Sequence, residues 1–204
     1  MSNAYWDYVY AGQVYNYLYA AIQNHFGVSG FLGNIYAESN ICPFRCEDDF
    51  SQNYVTSYNA TMNTIRTLTR QQFVDYYLPG HSSSKTGYSL AQWTYYTRKE
   101  AYYDYCSQSL LGDSQKSMEF LLYELQNSFS GVYNFLLTAP SVNAASDYVL
   151  QYYEAPASWQ SKIQERRGYS QNVYDDFSGQ PPTPGASLPI WLIAKAGNNW
   201  RRNI

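Results

Sequence analysis

The chain has 204 residues, a length that suits one domain with a tail or one large domain. Hydrophobic residues make up 45% and charged residues only 14%, while 24 tyrosines and 5 tryptophans raise the aromatic share to 19%. The net charge of -3 argues against nucleic acid as a partner, because phosphates are bound by clustered Lys and Arg. No stretch has the length of a membrane span, and the polar, tyrosine-rich N-terminus does not resemble a secretory signal peptide.

The first two predicted helices lie near the N-terminus. Apolar residues recur there at helical intervals, which predicts a helix over about 8–24 that stops at Gly27. Ser29 is a suitable N-cap for a second helix over about 30–39. We expect His25 to end the first helix, where a cation suits the helix dipole.

The second helix carries a stripe of small residues, Gly30, Gly33 and Ala37. A glycine inside a helix costs about 1 kcal/mol, so the stripe predicts that another helix or a ligand approaches this backbone closely. Glu38 falls beside the stripe, on a face shared with Asn34. This is the position expected of an acid that is half-buried and still accessible.

The remaining elements are also mostly helical. Two capping boxes, starting at Thr69 and Thr97, predict helices that run to about Leu78 and Gln108. The apolar segment 87–93 between them is too short for more than an extended or hairpin structure. Further helices are predicted near 114–127, 130–138, 141–153 and 160–177, with Ser141 as the cap of the third. No strand–helix–strand alternation occurs, so the predicted fold class is predominantly α.

The composition changes near the C-terminus. Residues 1–178 form the predicted domain, and residues 179–187 are a Pro- and Gly-rich linker. The tail at 188–204 is apolar, and two interpretations are open: an element that packs on the domain or a neighbour, or a docking peptide for a larger assembly.

The three cysteines do not indicate a metal site. Cys42, Cys46 and Cys106 form no CxxC or Cys/His ligand set, so no metal is expected. Cys42 and Cys46 can pair in an oxidising compartment or stay as thiols, and the sequence leaves both open.

Two segments together carry the functional signal. One is Gly33-Asn34-Ile35-Tyr36-Ala37-Glu38-Ser39, and the other is Gly87-Tyr88-Ser89-Leu90-Ala91-Gln92-Trp93-Thr94, followed by Arg98-Lys99. With the later Tyr153-Glu154-Ala155-Pro156, they resemble the phage tail lysozyme family of peptidoglycan hydrolases over about residues 8–177. The resemblance implies a lysozyme-like helical fold with a small hairpin bordering the glycan cleft.

The resemblance also implies site residues. It places the catalytic acid at Glu38 and lines the glycan cleft with Gln92, Trp93 and Thr94. A carboxyl held against apolar surface keeps its proton nearer neutral pH and can protonate a leaving oxygen. Gln92 suits hydroxyl and acetamido groups, and Trp93 offers a broad face for a sugar ring or a group for the core. Tyr88 can take either of these two roles.

The sequence departs from the family pattern at Ser89, where a second glycine is usual. A positive φ costs glycine nothing but strains a residue with a side chain, such as serine. Either the turn is therefore not left-handed, or the hairpin is reshaped.

Hydrolysis of a glycosidic bond generally uses a second carboxylate. The loop after Glu38 offers Glu47, Asp48 and Asp49, and the resemblance favours Asp49. The alternative is a solvated acidic loop, since some lysozyme-like enzymes work with one glutamate. Glu154 is interpreted as a structural partner for one of the two arginines at 166–167.

The expected function is that of a bacteriolytic muramidase, a glycoside hydrolase that cuts the β-1,4 bond between N-acetylmuramic acid and N-acetylglucosamine. It needs no cofactor, takes peptidoglycan glycan strands as substrate, and acts outside the cell, on a virion or at the cell wall, in a phage tail or a similar assembly. Two alternatives stay open: a lytic transglycosylase, and a non-catalytic glycan-binding or structural tail subunit.

Overall fold

The computed structural model describes residues 8–47, 62–76 and 86–179, with side chains from residue 10 onward. These residues are mostly helical and include no strand, which confirms the predominantly α fold class. The helices are α1 (Tyr8–Ile22), α2 (His25–Ser39), α3 (Arg70–Asp75), α4 (Tyr96–Cys106), α5 (Ser114–Asn127), α6 (Ser130–Leu137), α7 (Val142–Val149) and α8 (Trp159–Phe177). A 3-10 turn (Gln108–Leu110) follows α4, and a π-helical turn (Leu150–Glu154) follows α7. Among the described helices, none is long and apolar enough to cross a membrane.

Two of the predicted helix caps, Thr69 and Ser141, are confirmed, and two, Thr97 and Ser29, are wrong. Thr69 forms a full capping box at α3, and the Ser141 hydroxyl accepts the Ala144 amide at 3.1 Å at the start of α7. Thr97, however, lies inside α4, which starts at Tyr96. The amides of Arg98 and Lys99 both donate to the Tyr95 carbonyl at 3.0 Å, so the first turn closes before Thr97 can act as a cap.

The junction of α1 and α2 also differs from the prediction. Gln23 adopts a left-handed φ of 55° and ends α1, and the Asn24 side-chain oxygen accepts the amides of Phe26 at 3.0 Å and Gly27 at 3.4 Å. Asn24 therefore caps α2, which starts at His25. Gly27 and Ser29 are inside this helix, and His25 opens it instead of ending α1.

The chain divides into two compact units, residues 1–11 with 35–129 and residues 12–34 with 130–204. The first unit contains Glu38 and the 87–94 motif, and the second contains the glycines of α2. Apart from Gly179, the predicted linker and the predicted tail at 188–204 lie outside the described residues.

Neighbouring helices of the second unit pack closely against the small-residue stripe of α2. A Cβ atom built on Gly30 would lie 2.6 Å from the Ser146 amide nitrogen of α7, and one on Gly33 would lie 2.5 Å from the Ser170 Cα of α8. The predicted close approach is thus confirmed, and at these two glycines it is made by helices.

Polar groups join the same helices. The Asn34 side-chain amide donates to the carbonyls of Gly30 at 3.0 Å and Ser146 at 3.1 Å, and Arg166 donates to the Asn34 carbonyl at 3.0 Å. Arg167 forms a two-point ion pair with Asp147. Arg167, one of the two arginines expected to pair with Glu154, therefore has Asp147 as its carboxylate partner.

Candidate functional site

Glu38 lies on the last turn of α2 and is half-buried, as its place beside the small stripe predicted. The helix ends just beyond it, because Asn40 and Ile41 adopt left-handed φ values of 55° and 59°. The Asn40 amide donates to the Tyr36 carbonyl at 2.7 Å and closes the final turn. Glu38 is therefore presented from a well-defined helix end.

Ser39 ties this helix end to the loop formed by residues 86–94, which we name the 86–94 loop. Its side chain is fully buried, and its hydroxyl donates to the Leu90 carbonyl at 2.7 Å. The carbonyl of Ile35 lies 3.2 Å from the same hydroxyl. Since Ser39 is the residue after Glu38, this bond brings the backbone of the two motifs together.

The predicted hairpin is not confirmed as a pair of strands. Tyr88 makes isolated antiparallel bridges to Trp93 and to Cys46, and a tight turn connects Tyr88 to Trp93. The Trp93 amide donates to the Tyr88 carbonyl at 3.0 Å. Gly87 is required by the closeness of this fold-back, since a Cβ atom there would lie 2.7 Å from the Thr94 hydroxyl oxygen.

Ser89 adopts a left-handed φ of 69° and is fully buried. Its hydroxyl donates to the Pro43 carbonyl at 2.6 Å and lies 3.1 Å from the Ser117 hydroxyl. Of the two alternatives that the sequence left open, a turn outside the left-handed region is therefore excluded. Side-chain hydrogen bonds to neighbouring segments offset the strain that glycine would relieve.

Gln92 braces the loop from within. It also has a positive φ of 45°, and its side-chain nitrogen donates to the carbonyls of Arg45 at 3.1 Å and Ser89 at 2.8 Å. Both amide hydrogens are thereby used by the backbone. The side-chain oxygen is buried and accepts no hydrogen bond from the described part of the chain.

Trp93 and Tyr88 belong to the core of the first unit. Trp93 has 0% exposure and stacks on Tyr102 at 4.5 Å, and Tyr88 has 1% exposure and meets Phe73 edge-on. The sequence left two roles open for each of these rings, sugar binding and core packing, and the structure supports core packing. The expectation that Trp93 presents a sugar-binding face is wrong, because no face of its ring is accessible.

Glu124 of α5 holds Trp93 in place and was missed in the sequence. Its carboxylate, 4% exposed, accepts the Trp93 indole N–H at 3.0 Å and two bonds from Arg98, at 2.7 and 2.9 Å. The sequence does contain a sign of this role, because Glu124 is an acid within the apolar stripe of α5, beside Leu121, Leu122 and Leu125.

The neighbouring Lys99 is a buried cation in α4. It is fully buried, donates to the Thr86 carbonyl at 3.0 Å, and lies 4.8 Å from the centre of the Phe73 ring. The Arg-Lys pair of the motif therefore anchors both ends of the 86–94 loop.

The loop acids fall into two groups. Glu47 accepts the Gly87 amide at 2.9 Å, and its own amide donates to the Gly87 carbonyl at 2.9 Å. Its carboxylate is therefore part of the support of the 86–94 loop. Asp48 and Asp49 lie outside the described residues.

The cysteines are buried thiols. No disulfide joins Cys42 to Cys46 in the described part of the chain, which answers the alternative that the sequence left open. Burial raises the pKa of Cys106 to about 12, so this thiol stays protonated at neutral pH.

Comparison with known proteins gives one match. A family model described as phage tail lysozyme matches residues 10–177. This span includes Glu38, the 86–94 loop and the Arg98-Lys99 pair. No curated protein and no solved structure matches the chain.

Proposed function

The chain belongs to the phage tail lysozyme family, and from this premise we propose that it is a muramidase that cuts the β-1,4 bond between N-acetylmuramic acid and N-acetylglucosamine. At the level of the family it is a lysozyme-like peptidoglycan hydrolase of the virion or cell wall. The bond that is cut and the group that cuts it are our proposal.

Glu38 is proposed as the general acid. The observation that carries this role is its half-buried position at the end of α2, one residue before the Ser39 bond to the 86–94 loop. A carboxyl in such a place is partly shielded from water and still reachable by a sugar. It gives its proton to the glycosidic oxygen as the bond to the anomeric carbon breaks.

Asp49 is proposed to act on the opposite face of the sugar ring. It takes a proton from the attacking water, or it stabilises the positive charge that develops on the ring. Thr94 is proposed to help position that water or the glycan, since its side chain is exposed beside Gln92. Tyr88, Gln92 and Trp93 are proposed to support this surface from beneath.

The first test replaces the acid by its amide, Glu38→Gln. The amide has nearly the same shape and cannot supply the proton, so we expect turbidity clearing of purified cell walls to slow by about 10² to 10⁴-fold. Glu165→Gln is the matched control, because Glu165 is an exposed carboxylate of α8 in the second unit. Retained clearing by Glu38→Gln would rule out the proposed mechanism.

The products distinguish the reaction classes. Mass spectrometry of the released muropeptides should show reducing ends that carry the added water. Anhydro ends would identify a lytic transglycosylase, and glycan binding without released ends would identify a non-catalytic subunit. Asp49→Asn should also lose most activity if Asp49 is the second group, while a fully active variant would assign that role elsewhere.

A further inference from the structure

An exposed aromatic pair follows the 86–94 loop directly. Tyr95 is 63% exposed and Tyr96 is 49% exposed, and Thr94 and Thr97 on either side also face solvent. The two ring centroids lie 4.9 Å apart, and the ring planes meet at 47°. Two exposed rings thus lie in contact, and an exposed threonine precedes and follows them in the chain.

This surface is held from both sides by buried residues. Trp93, which precedes the pair in the chain, is held by its hydrogen bond to Glu124. Lys99, which follows the pair, is held by its hydrogen bond to the Thr86 carbonyl. The Tyr95 carbonyl also accepts the first two amide bonds of α4. The rings therefore stand on a rigid base, so a ligand would not have to order the backbone that carries them.

In the ring pairs Tyr105–Tyr123 and Tyr148–Tyr152 one ring is exposed and the other is partly buried, whereas both rings of the Tyr95–Tyr96 pair are exposed. Other aromatic rings of the same unit, Trp93, Tyr88 and Tyr102, are fully or almost fully buried. A pair of exposed rings on an ordered base, directly after the 86–94 loop, is a surface that a ligand at this loop can contact.

The chemistry of the surface favours a neutral sugar. No residue from 94 to 97 carries a charge. The three charged residues that follow in the chain are all engaged: Arg98 with Glu124, Lys99 with the Thr86 carbonyl and Glu100 with Arg70. Nucleic acid would need cations here, and the net charge of the chain is -3. A sugar ring instead has an apolar face of C–H groups and a rim of hydroxyls, which match aromatic rings flanked by threonines.

We propose that Tyr95 and Tyr96 form a sugar-binding subsite that holds the glycan strand at a saccharide other than those joined by the cleaved bond. This inference rests on the proposed function for its substrate class. Binding energy from such a remote saccharide holds the strand in register at Glu38. The two tyrosines are positioning residues, and they take no part in proton transfer.

The test compares Tyr95→Ala/Tyr96→Ala with two controls in the full chain. Tyr95→Phe/Tyr96→Phe keeps the rings, and Tyr152→Ala removes a tyrosine of similar exposure, 51%, from the second unit. Affinity is measured in the Glu38→Gln background with an N-acetylglucosamine hexasaccharide and with glycan strands freed of their peptides. Kinetics are measured on intact cell walls with Glu38 present.

We expect the double alanine variant to bind both glycans about tenfold more weakly, which corresponds to about 1.4 kcal/mol. Its KM should rise by a similar factor with little change in kcat, since the contact is the same in the ground and transition states. The phenylalanine variant and Tyr152→Ala should bind as the parent does. The melting temperature of every variant should stay near that of the parent, because the substituted side chains are exposed.

Several results would overturn this subsite. Unchanged glycan affinity in the double alanine variant would do so, as would an equal loss in Tyr152→Ala. A loss confined to walls that retain their peptides would point to peptide recognition and also reject the sugar subsite. If no wall is cut by any form but the glycan affinity still depends on the two tyrosines, the proposed hydrolysis fails and the subsite stands.

Discussion

At the scale of single residues, Ser89 shows how a strained backbone is stabilised by its own side chain. A left-handed conformation costs an ordinary residue about 1–2 kcal/mol. The Ser89 hydroxyl bonds to Pro43 and lies within reach of Ser117, and each hydrogen bond contributes about 1 kcal/mol. The two effects are of similar size, which explains why a serine is tolerated at this left-handed position.

Two substitutions at Ser89 separate these effects. Ser89→Ala keeps the strain and removes the hydroxyl, so we expect the free energy of unfolding to fall by about 1–3 kcal/mol. Ser89→Gly removes the hydroxyl and the strain together, so its loss should be smaller by about 1 kcal/mol. Urea unfolding measures both, and equal losses would show that the left-handed φ stores no strain.

At the scale of elements, α2 owes its packing to glycines that admit other helices. Near Gly33 the Ser170 backbone comes so close that even a methyl group cannot fit. Overpacking of this kind typically costs about 1–3 kcal/mol. The glycines therefore fix how closely α7 and α8 approach α2.

Gly33→Ala should lower the free energy of unfolding by about 1–3 kcal/mol in spite of the better helix propensity of alanine. Gly168→Ala is the matched control, because Gly168 lies in α8 with open space around its Cα. We expect Gly168→Ala to stabilise the protein by up to about 1 kcal/mol. Thermal unfolding measures both variants, and equal shifts would contradict the packing role of Gly33.

The same scale shows which elements were predictable. Helices α5 to α8 begin and end within a few residues of their predicted bounds, because local periodicity and caps such as Ser141 define them. The junction at Asn24 was missed because Gly27 was interpreted as the end of a helix. Gly27 lies inside α2, where it makes room for the Leu136 backbone of α6, and the sequence does not show that distant contact. Thr97 failed as a cap because the bonds to the Tyr95 carbonyl start the helix earlier.

The candidate site was predictable in part for a similar reason. The half-buried position of Glu38 follows from helical geometry within one element. The burial of Trp93 depends on Glu124, which is 31 residues away along the chain. No local pattern in a nine-residue loop could supply that contact.

At the scale of the whole molecule, the buried tyrosines are expected to make the free energy of unfolding fall at alkaline pH. Burial raises the pKa of Tyr15 and of Tyr105 to about 12, and it also raises the pKa of Tyr88 and Tyr102. An unfolded tyrosine ionises near pH 10. Above that pH the unfolded chain releases protons that the folded chain retains, so folding becomes less favourable.

We therefore expect the free energy of unfolding to be constant with respect to these groups below about pH 10 and to fall between about pH 10 and pH 12. Tyr105→Phe keeps the ring and removes one such group, so its decline should be shallower. Urea unfolding across this pH range, with tyrosinate absorbance recorded in parallel, measures the effect. A decline that is the same in Tyr105→Phe would show that this phenol does not contribute.

The burial of the residues around positions 94–97 determines which substitutions the protein can accept there. Folding depends on the buried residues on either side, Trp93 and Lys99, whereas the side chains from 94 to 97 face solvent and add little to stability. Substitutions in these four positions can therefore accumulate without loss of the fold. The constraint on these positions is therefore the ligand, so this surface can follow a change of ligand while the scaffold beneath it stays the same.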